Sequence, residues 1–195
     1  AGQRIFAESR PQELLAKVRR LDEIRAERGE PDYMSDIEWH FIGHLQTNKL
    51  KMVLPYVSLV QSVDSLHLLE AIDKWGEANA KVIEVLLEPH ETSEQTKQGF
   101  DPDKLMNVLS TADGYEHIRF RGIMGMATFT DDEAVVRSDF SRIKALADTI
   151  REVYPGLVSD FTELSIGMSD DYPIAVEYGS TMVRIGSMIF GERNY

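Results

Sequence analysis

Two spacings of apolar residues alternate along this chain from one end to the other. Short runs in which most residues are apolar or β-branched, such as VIEVLLE (82–88), predict strands. Longer segments with apolar residues three or four positions apart, such as 11–29, predict helices. The predicted strands are 4–8, 38–43, 58–63, 82–88, 118–127, 163–168 and 181–186. The predicted helices are 11–29, 47–56, 67–80, 101–113 and 133–154.

The ends of several helices carry residue types that favour capping. Gly29 is predicted to end the first helix, because glycine adopts without strain the left-handed conformation in which many helices end. Thr47 is the predicted N-cap of the second helix, and Asp64 or Ser65 that of the third. These residues place the helix boundaries to within a few positions.

The last two strands end in similar junctions. Strand 163–168 is followed by Ser169 and a short helical segment, and strand 181–186 runs into Gly186, Ser187 and a helical turn. Backbone N–H groups exposed at such a junction bind anions such as phosphate. Because the two strands are consecutive, the junctions can form one phosphate-binding cup.

The regular alternation of strands and helices indicates a parallel sheet covered by helices. An open, doubly wound sheet fits this alternation too, but no GxGxxG or GxxxxGK[ST] motif follows the first strand. Phosphate-type junctions after the final strands favour a TIM-type (β/α) barrel, which we expect to form one domain over 1–195. A closed barrel of this type needs eight strands and about 250 residues. The sequence shows one strand fewer.

Composition narrows the possible partners. The formal net charge of −12 argues against nucleic acid, because phosphate backbones favour clustered Lys and Arg. The absence of cysteine excludes disulfides and thiolate chemistry. No apolar run approaches the roughly 20 residues that span a bilayer, and the first residues do not resemble a signal peptide, so we expect a cytoplasmic protein.

The histidines do not indicate a metal site. His40 and His44 lack the spacing of metal ligands, so we expect no bound metal.

Six segments together resemble the pyridoxal phosphate homeostasis proteins, which are similar in fold to the barrel domain of alanine racemase. The segments are RIFAESRPQEL (4–14), IEWHFIGHLQTNK (37–49), SVDS (62–65), ETSEQTKQG (91–99), RGIMGMA (121–127) and SIGMSDDYPIAVEYGSTMVRIGSMIFGERNY (165–195). The resemblance covers essentially the whole chain in the right order. It implies a barrel that binds pyridoxal 5′-phosphate and manages its supply, rather than an enzyme.

The resemblance also implies roles for individual residues. Ser169 and the backbone of Gly186-Ser187 are expected to hold the phosphate, with Asp170 and Asp171 pointing away from it. Arg184 is expected to face the pyridine nitrogen, where a permanent positive charge disfavours protonation of the ring. The other residues expected to bind the cofactor are Ser165, Met168 and Ile185.

One departure from the family concerns the aldehyde. Family members hold it with a lysine on the first barrel strand, in a segment like AVSKTKP. The sequence starts after that position, either because it is a fragment of a longer chain or because the strand was removed. We therefore expect non-covalent binding of pyridoxal phosphate or of another small phosphorylated ligand. A Schiff base from Lys49 or Lys97 would need a lowered lysine pKa, and a surface role is the default interpretation of both. Without the first strand, strands 4–8 and 181–186 have bare edges that could pair between copies, so we expect a monomer or a weak homo-oligomer.

A second departure lies at the predicted mouth of the barrel. Ala7 stands where the family has glycine, and the segment 88–91 replaces an amide-bearing strand end. This change suggests an alternative function, in which an altered or engineered mouth carries a hydrolase-like site around Glu88, His90 and Ser9. A solvated loop histidine is the simpler interpretation of His90.

Overall fold

A computed structural model describes residues 2–90, 99–157 and 159–191. Its strands are β1 (Ile5–Glu8), β2 (Glu38–Phe41), β3 (Leu59–Val63), β4 (Ile83–Leu87), β5 (Ile118–Met124), β6 (Glu163–Met168) and β7 (Met182–Arg184). Its helices are α1 (Pro11–Arg28), α2 (Leu50–Val53), α3 (Leu66–Asn79), α4 (Pro102–Ser110), α5 (Glu133–Val153), α6 (Tyr172–Glu177) and α7 (Ser187–Phe190). Short 3-10 turns lie at Thr47–Lys49, Ala112–Gly114 and Pro155–Leu157.

The seven strands form one parallel sheet in which the spatial order follows the chain order from β1 to β7. The sheet curls into a nearly closed barrel, which confirms the predicted (β/α) barrel with seven strands. Parallel strands joined by helices all place their carboxyl ends on the same face, and TIM-type barrels build their sites there. The tips of β6 and β7 are therefore neighbours by topology.

Apolar side chains fill two regions of the molecule. The larger lies between the sheet and the helices and includes the fully buried Phe41, Leu69 and Phe140. The smaller lies apart from it, where Leu59, Leu86 and Met124 pack together with Met182 against them. These four residues come from β3, β4, β5 and β7, so the cluster joins strands on different sides of the barrel.

Gly167 fixes the path of the chain at the tip of β6. Its φ of +94° is one that side chains disfavour, and a Cβ at this position would lie 2.6 Å from Cβ of Ala175 in α6. Glycine therefore lets α6 pack directly against β6. This close packing sets the position of the residues that follow the strand.

Several predicted boundaries were too generous. The strands predicted at 38–43, 118–127 and 181–186 end at Phe41, Met124 and Arg184. Ala127, for example, is buried without being paired, because apolarity reports burial rather than membership of the sheet. The predicted second helix, 47–56, is a 3-10 turn followed by a single α-turn.

The two N-cap predictions had different outcomes. The Ser65 hydroxyl accepts a hydrogen bond from the backbone N–H of Leu68 (3.3 Å), which confirms Ser65 as the N-cap of α3. Thr47 lies inside the 3-10 turn, and the preceding Gln46 occupies the cap position without a side-chain bond. That prediction was wrong because the chain enters this turn one residue earlier than the pattern indicated.

Candidate functional site

Arg184 lies at the end of β7 and is held by oxygens from two other strands. Its Nη1 donates to both the carbonyl and the hydroxyl of Ser165, each at 2.8 Å. Its Nη2 donates to the carbonyl oxygen of Gly125, which follows β5, at 2.9 Å. Two of the residues predicted for the site, Ser165 and Arg184, are therefore in direct contact.

The junctions after β6 and β7 meet at Ser169. Its hydroxyl oxygen accepts from the backbone N–H groups of Gly186 (3.3 Å) and Met188 (3.4 Å). Ser169 is itself buried, although it lies at the rim of the barrel. The prediction that these two junctions form one cup is consistent with this geometry, but the second amide comes from Met188 instead of Ser187.

The other predicted site residues lie around this point. Met168 ends β6, is paired with Arg184 across the sheet and is 36% exposed. Ile185 is half-buried between Arg184 and Gly186, and Ser187 is exposed as the first residue of α7. The seven predicted residues thus occupy the tips of β6 and β7, apart from Ser165, which is fully buried inside the barrel.

Asp171 is bonded to the end of β6. Its Oδ1 accepts a hydrogen bond of 2.6 Å from the backbone N–H of Met168, the last residue of β6. Asp170 is exposed. That both carboxylates point away from a bound phosphate stays a prediction.

Two residues that the sequence analysis did not assign to the site extend it into the barrel. Gln61 of β3 is 1% exposed, accepts at Oε1 from the Ser165 hydroxyl (2.7 Å) and contacts His40 Nδ1 through Nε2 (2.9 Å). His40 of β2 is 4% exposed. The sequence did contain a signal for Gln61, which interrupts the apolar run SLVQSV. A buried amide needs hydrogen-bond partners, so a glutamine in a buried strand indicates other polar groups nearby.

Burial controls the charges of the site. It lowers the pKa of Arg184 to about 10, an effect that Glu88 and Asp171 oppose. Burial also raises the pKa of Glu88 to about 7, reinforced by Asp64 and opposed by Arg184 and His44. At neutral pH the guanidinium is therefore charged, while the carboxyl beyond β4 is close to its titration midpoint.

The alternative site around His90 borders residues that the structure does not describe. Two backbone bonds hold the described part, from the N–H of His90 to the carbonyl of Phe100 (2.8 Å) and from the N–H of Phe100 to the carbonyl of Glu88 (2.7 Å). Glu91 and Lys97, which the sequence analysis considered, lie outside the described residues.

In the described residues there is no cluster of metal ligands, and a cavity lies at the other end of the barrel. Within the described ranges, no three His, Asp or Glu side chains are grouped as they would be around a metal ion. A cavity of about 250 Å³ is lined by Glu38, Ser58 and Lys81, which lie at the amino ends of the strands. That is the end opposite the tips of β6 and β7.

Comparison with known proteins identifies the family. A model of the alanine racemase N-terminal domain matches residues 1–194. The pyridoxal phosphate homeostasis protein of Aquifex aeolicus is 34% identical over 194 residues, which are 100% of this chain and 79% of that protein. The chain belongs to the pyridoxal phosphate homeostasis protein family. The family's protein from Mus musculus is 36% identical over 210 residues, covering 100% of this chain and 70% of the mouse protein.

Solved structures of related proteins are similar to the structure of this chain. PipY of Synechococcus elongatus with pyridoxal phosphate bound has a TM-score of 0.81 and 31% identity, with 97% of this chain and 82% of PipY covered. Alanine racemase of Clostridium difficile has a TM-score of 0.69 at 14% identity, covering 98% of this chain and 46% of the racemase, which shows the shared fold alone. In the described residues, no helix has the length and apolarity to cross a membrane.

Proposed function

We propose that this chain binds pyridoxal 5′-phosphate, with the phosphate at the tips of β6 and β7 and the ring toward Arg184. The supporting observation is the convergence of the Gly186 and Met188 amides on the Ser169 hydroxyl. Family membership and the pyridoxal phosphate bound to PipY support the choice of cofactor. As a carrier, the protein would hold the cofactor and release it intact.

The phosphate end depends on neutral donors. Neutral donors suit a phosphate because they add no competing negative charge. The Ser169 hydroxyl accepts the N–H groups of Gly186 and Met188, so its own proton is left for an oxygen of the ligand. Ser169 therefore fits a phosphate at this rim as a donor, with the two amides holding its oxygen in place.

The ring end depends on Arg184. When bound, the cofactor supplies an aldehyde and a pyridine ring, which withdraws electrons most strongly when its nitrogen is protonated. With its pKa lowered only to about 10, the guanidinium stays charged at neutral pH. A nearby positive charge disfavours a proton on the nitrogen. Such a ring is a weak electron sink, which suits storage better than transamination.

A titration of absorbance with pyridoxal phosphate tests the proposal on Ser169→Ala. Loss of this hydroxyl removes the atom on which the two amides converge, so affinity should fall by about tenfold. Ser110→Ala is the matched control, since Ser110 is an exposed serine at the end of α4 whose hydroxyl contacts only the helix carbonyl of Asn107 in the described structure. The control should bind as the wild type does.

Two results would reject parts of the proposal. A wild-type protein that does not bind the cofactor would reject the function, and a Ser169→Ala variant of unchanged affinity would reject the phosphate position.

A further inference from the structure

Four polar side chains form a row of hydrogen bonds across the inside of the barrel. They are His40 of β2, Gln61 of β3, Ser165 of β6 and Arg184 of β7. The first three are 4%, 1% and 0% exposed. Arg184 is the end of the row at the rim, where the proposed ligand would lie, and His40 of β2 is the other end.

The chemistry of the groups gives the row one direction. Arg184 can only donate, so the Ser165 hydroxyl accepts from it and donates its own proton to Gln61 Oε1 (2.7 Å). This places the amide nitrogen of Gln61 against His40 Nδ1 (2.9 Å) and the Met182 sulfur (2.9 Å). A flipped amide would set its oxygen against that sulfur, which has no proton to give.

The tautomer of His40 follows from this direction. Its Nδ1 accepts from Gln61, so the ring proton is on Nε2. Burial lowers the pKa of His40, against the pull of the carboxylates of Glu38, Glu163 and Glu84. The imidazole is therefore neutral and acts as the final acceptor of the row.

Gln61 has no freedom to turn in its surroundings. It lies in β3 two residues after Leu59, which packs with Leu86 and Met124 in the inner apolar cluster. An amide that lost its partners beside these side chains would be buried without hydrogen bonds, which is costly. The orientation of the amide is consequently fixed, and the Ser165 hydroxyl is fixed with it.

We infer that Gln61 is a positioning residue for the ring-binding group, because it orients the Ser165 hydroxyl to accept from Nη1 of Arg184. The inference rests on the proposed function, since it gives the buried row a task in ligand binding. Without an acceptor at Gln61, the Ser165 hydroxyl could rotate and turn its proton toward Nη1 of Arg184, where two donors would face each other. Arg184 would then keep its backbone partners but lose the side-chain bond that sets its tilt.

Two substitutions of Gln61 separate the two ends of the row. Gln61→Leu removes both the acceptor for Ser165 and the donor to His40. Gln61→Glu keeps an acceptor for Ser165 and removes only the donor to His40. Gln12→Leu is the control for a glutamine on the exposed face of α1.

Binding of two probes is measured for each variant, pyridoxal 5′-phosphate by absorbance and inorganic phosphate by ³¹P NMR. Gln61→Leu should weaken pyridoxal phosphate by about tenfold and leave inorganic phosphate within about twofold, because only the ring end is disturbed. Gln61→Glu should restore pyridoxal phosphate affinity to within about threefold of the wild type. A packing defect alone would weaken both probes or neither.

The ring nitrogens of His40, followed by ¹⁵N NMR, give a readout that does not depend on the ligand. Nδ1 should carry no proton in the wild type and should gain one in Gln61→Glu, where a carboxylate faces it. A protonated Nδ1 in the wild type, or equal pyridoxal phosphate affinity in Gln61→Leu and the wild type, would overturn the inference.

Two further results remain informative. If the Gln61 variants do not fold, Ser165→Ala breaks the same row at its next member. An affinity for pyridoxal phosphate that is unchanged in Ser165→Ala would overturn the inference. If the wild type binds inorganic phosphate but not pyridoxal phosphate, the proposed function fails and the ligand role of Gln61 fails with it. The nitrogen spectra then still decide whether the row runs from Arg184 as donor to His40 as final acceptor.

Discussion

The two ends of the barrel hold their arginines in different ways. At the amino end, Arg119 and Arg121 face the carboxylate of Glu84 at 3.0 and 3.7 Å, and Arg121 also approaches Glu163 at 3.9 Å. At the carboxyl end, each hydrogen bond that the described structure gives Arg184 goes to a neutral oxygen, either of Ser165 or of Gly125.

This difference separates a structural charge from an available one. A guanidinium paired with a carboxylate has its field largely cancelled, and half-exposed pairs add little stability. A guanidinium held by carbonyl and hydroxyl oxygens is fixed in place, and in Arg184 its positive charge is offset only in part, through space, by Glu88 and Asp171. Such a group can act on an anionic or electron-rich ligand, and perturbed charges of this kind concentrate at functional sites.

The largest expected effect comes from replacing the available charge. Arg184→Met should weaken pyridoxal phosphate binding by about 100-fold, because the ring loses its cation and Ser165 loses its donor. Arg119→Met, at the amino end, should change the affinity by less than about twofold. Absorbance titrations of both variants, with folding checked by circular dichroism, make the comparison. Equal losses in the two variants would remove the distinction between the ends.

The next effect concerns Glu88, whose pKa is raised from 4.5 to about 7 in the folded protein. A carboxyl with a raised folded-state pKa destabilises the fold as the pH rises from 4.5 through 7, because the unfolded chain ionises first. Gln cannot ionise, so Glu88→Gln should be more stable than the wild type by about 3 kcal/mol at pH 8. Below pH 4.5 the two proteins should be equal in this respect.

Urea unfolding at a series of pH values measures this difference. Glu177→Gln is the contrasting control, since its partner Arg137 lowers the pKa of Glu177. That substitution should bring no gain at high pH. A Glu88→Gln variant that tracks the wild type from pH 4 to pH 8 would show that the carboxyl is not held in the folded protein as described.

The smallest effect is expected where charges are already paired. Glu84→Gln removes the partner of two arginines, yet the free energy of unfolding should fall by less than about 1 kcal/mol because these side chains are partly exposed. The loss should shrink further in 0.5 M salt, where exposed charges are screened. A loss of several kcal/mol that persists in salt would show that the ion pairs of Glu84 stabilise the fold strongly, contrary to this expectation.

The sequence alone determined the order and kind of the elements. The bounds predicted for β6, 163–168, are those of the structure, and α5 differs from its prediction by one residue. Such elements follow from local spacing, because a strand or a helix exposes its side chains with its own period. The location of Ser169, Arg184 and Gly186 at adjacent strand tips also followed, since they lie in or directly after neighbouring parallel strands.

Only the tertiary structure decided which atoms meet. Gln61 and Ser165 are 104 residues apart in the chain, and Arg184 bonds the carbonyl of Gly125 from 59 residues away. Contacts of this kind depend on strand register, which shifts between Ser165 and Met168 and between Val60 and Val63. A local pattern of apolar and polar residues does not encode these shifts. The sequence therefore indicated where a site would lie, while the folded barrel selected the partners within it.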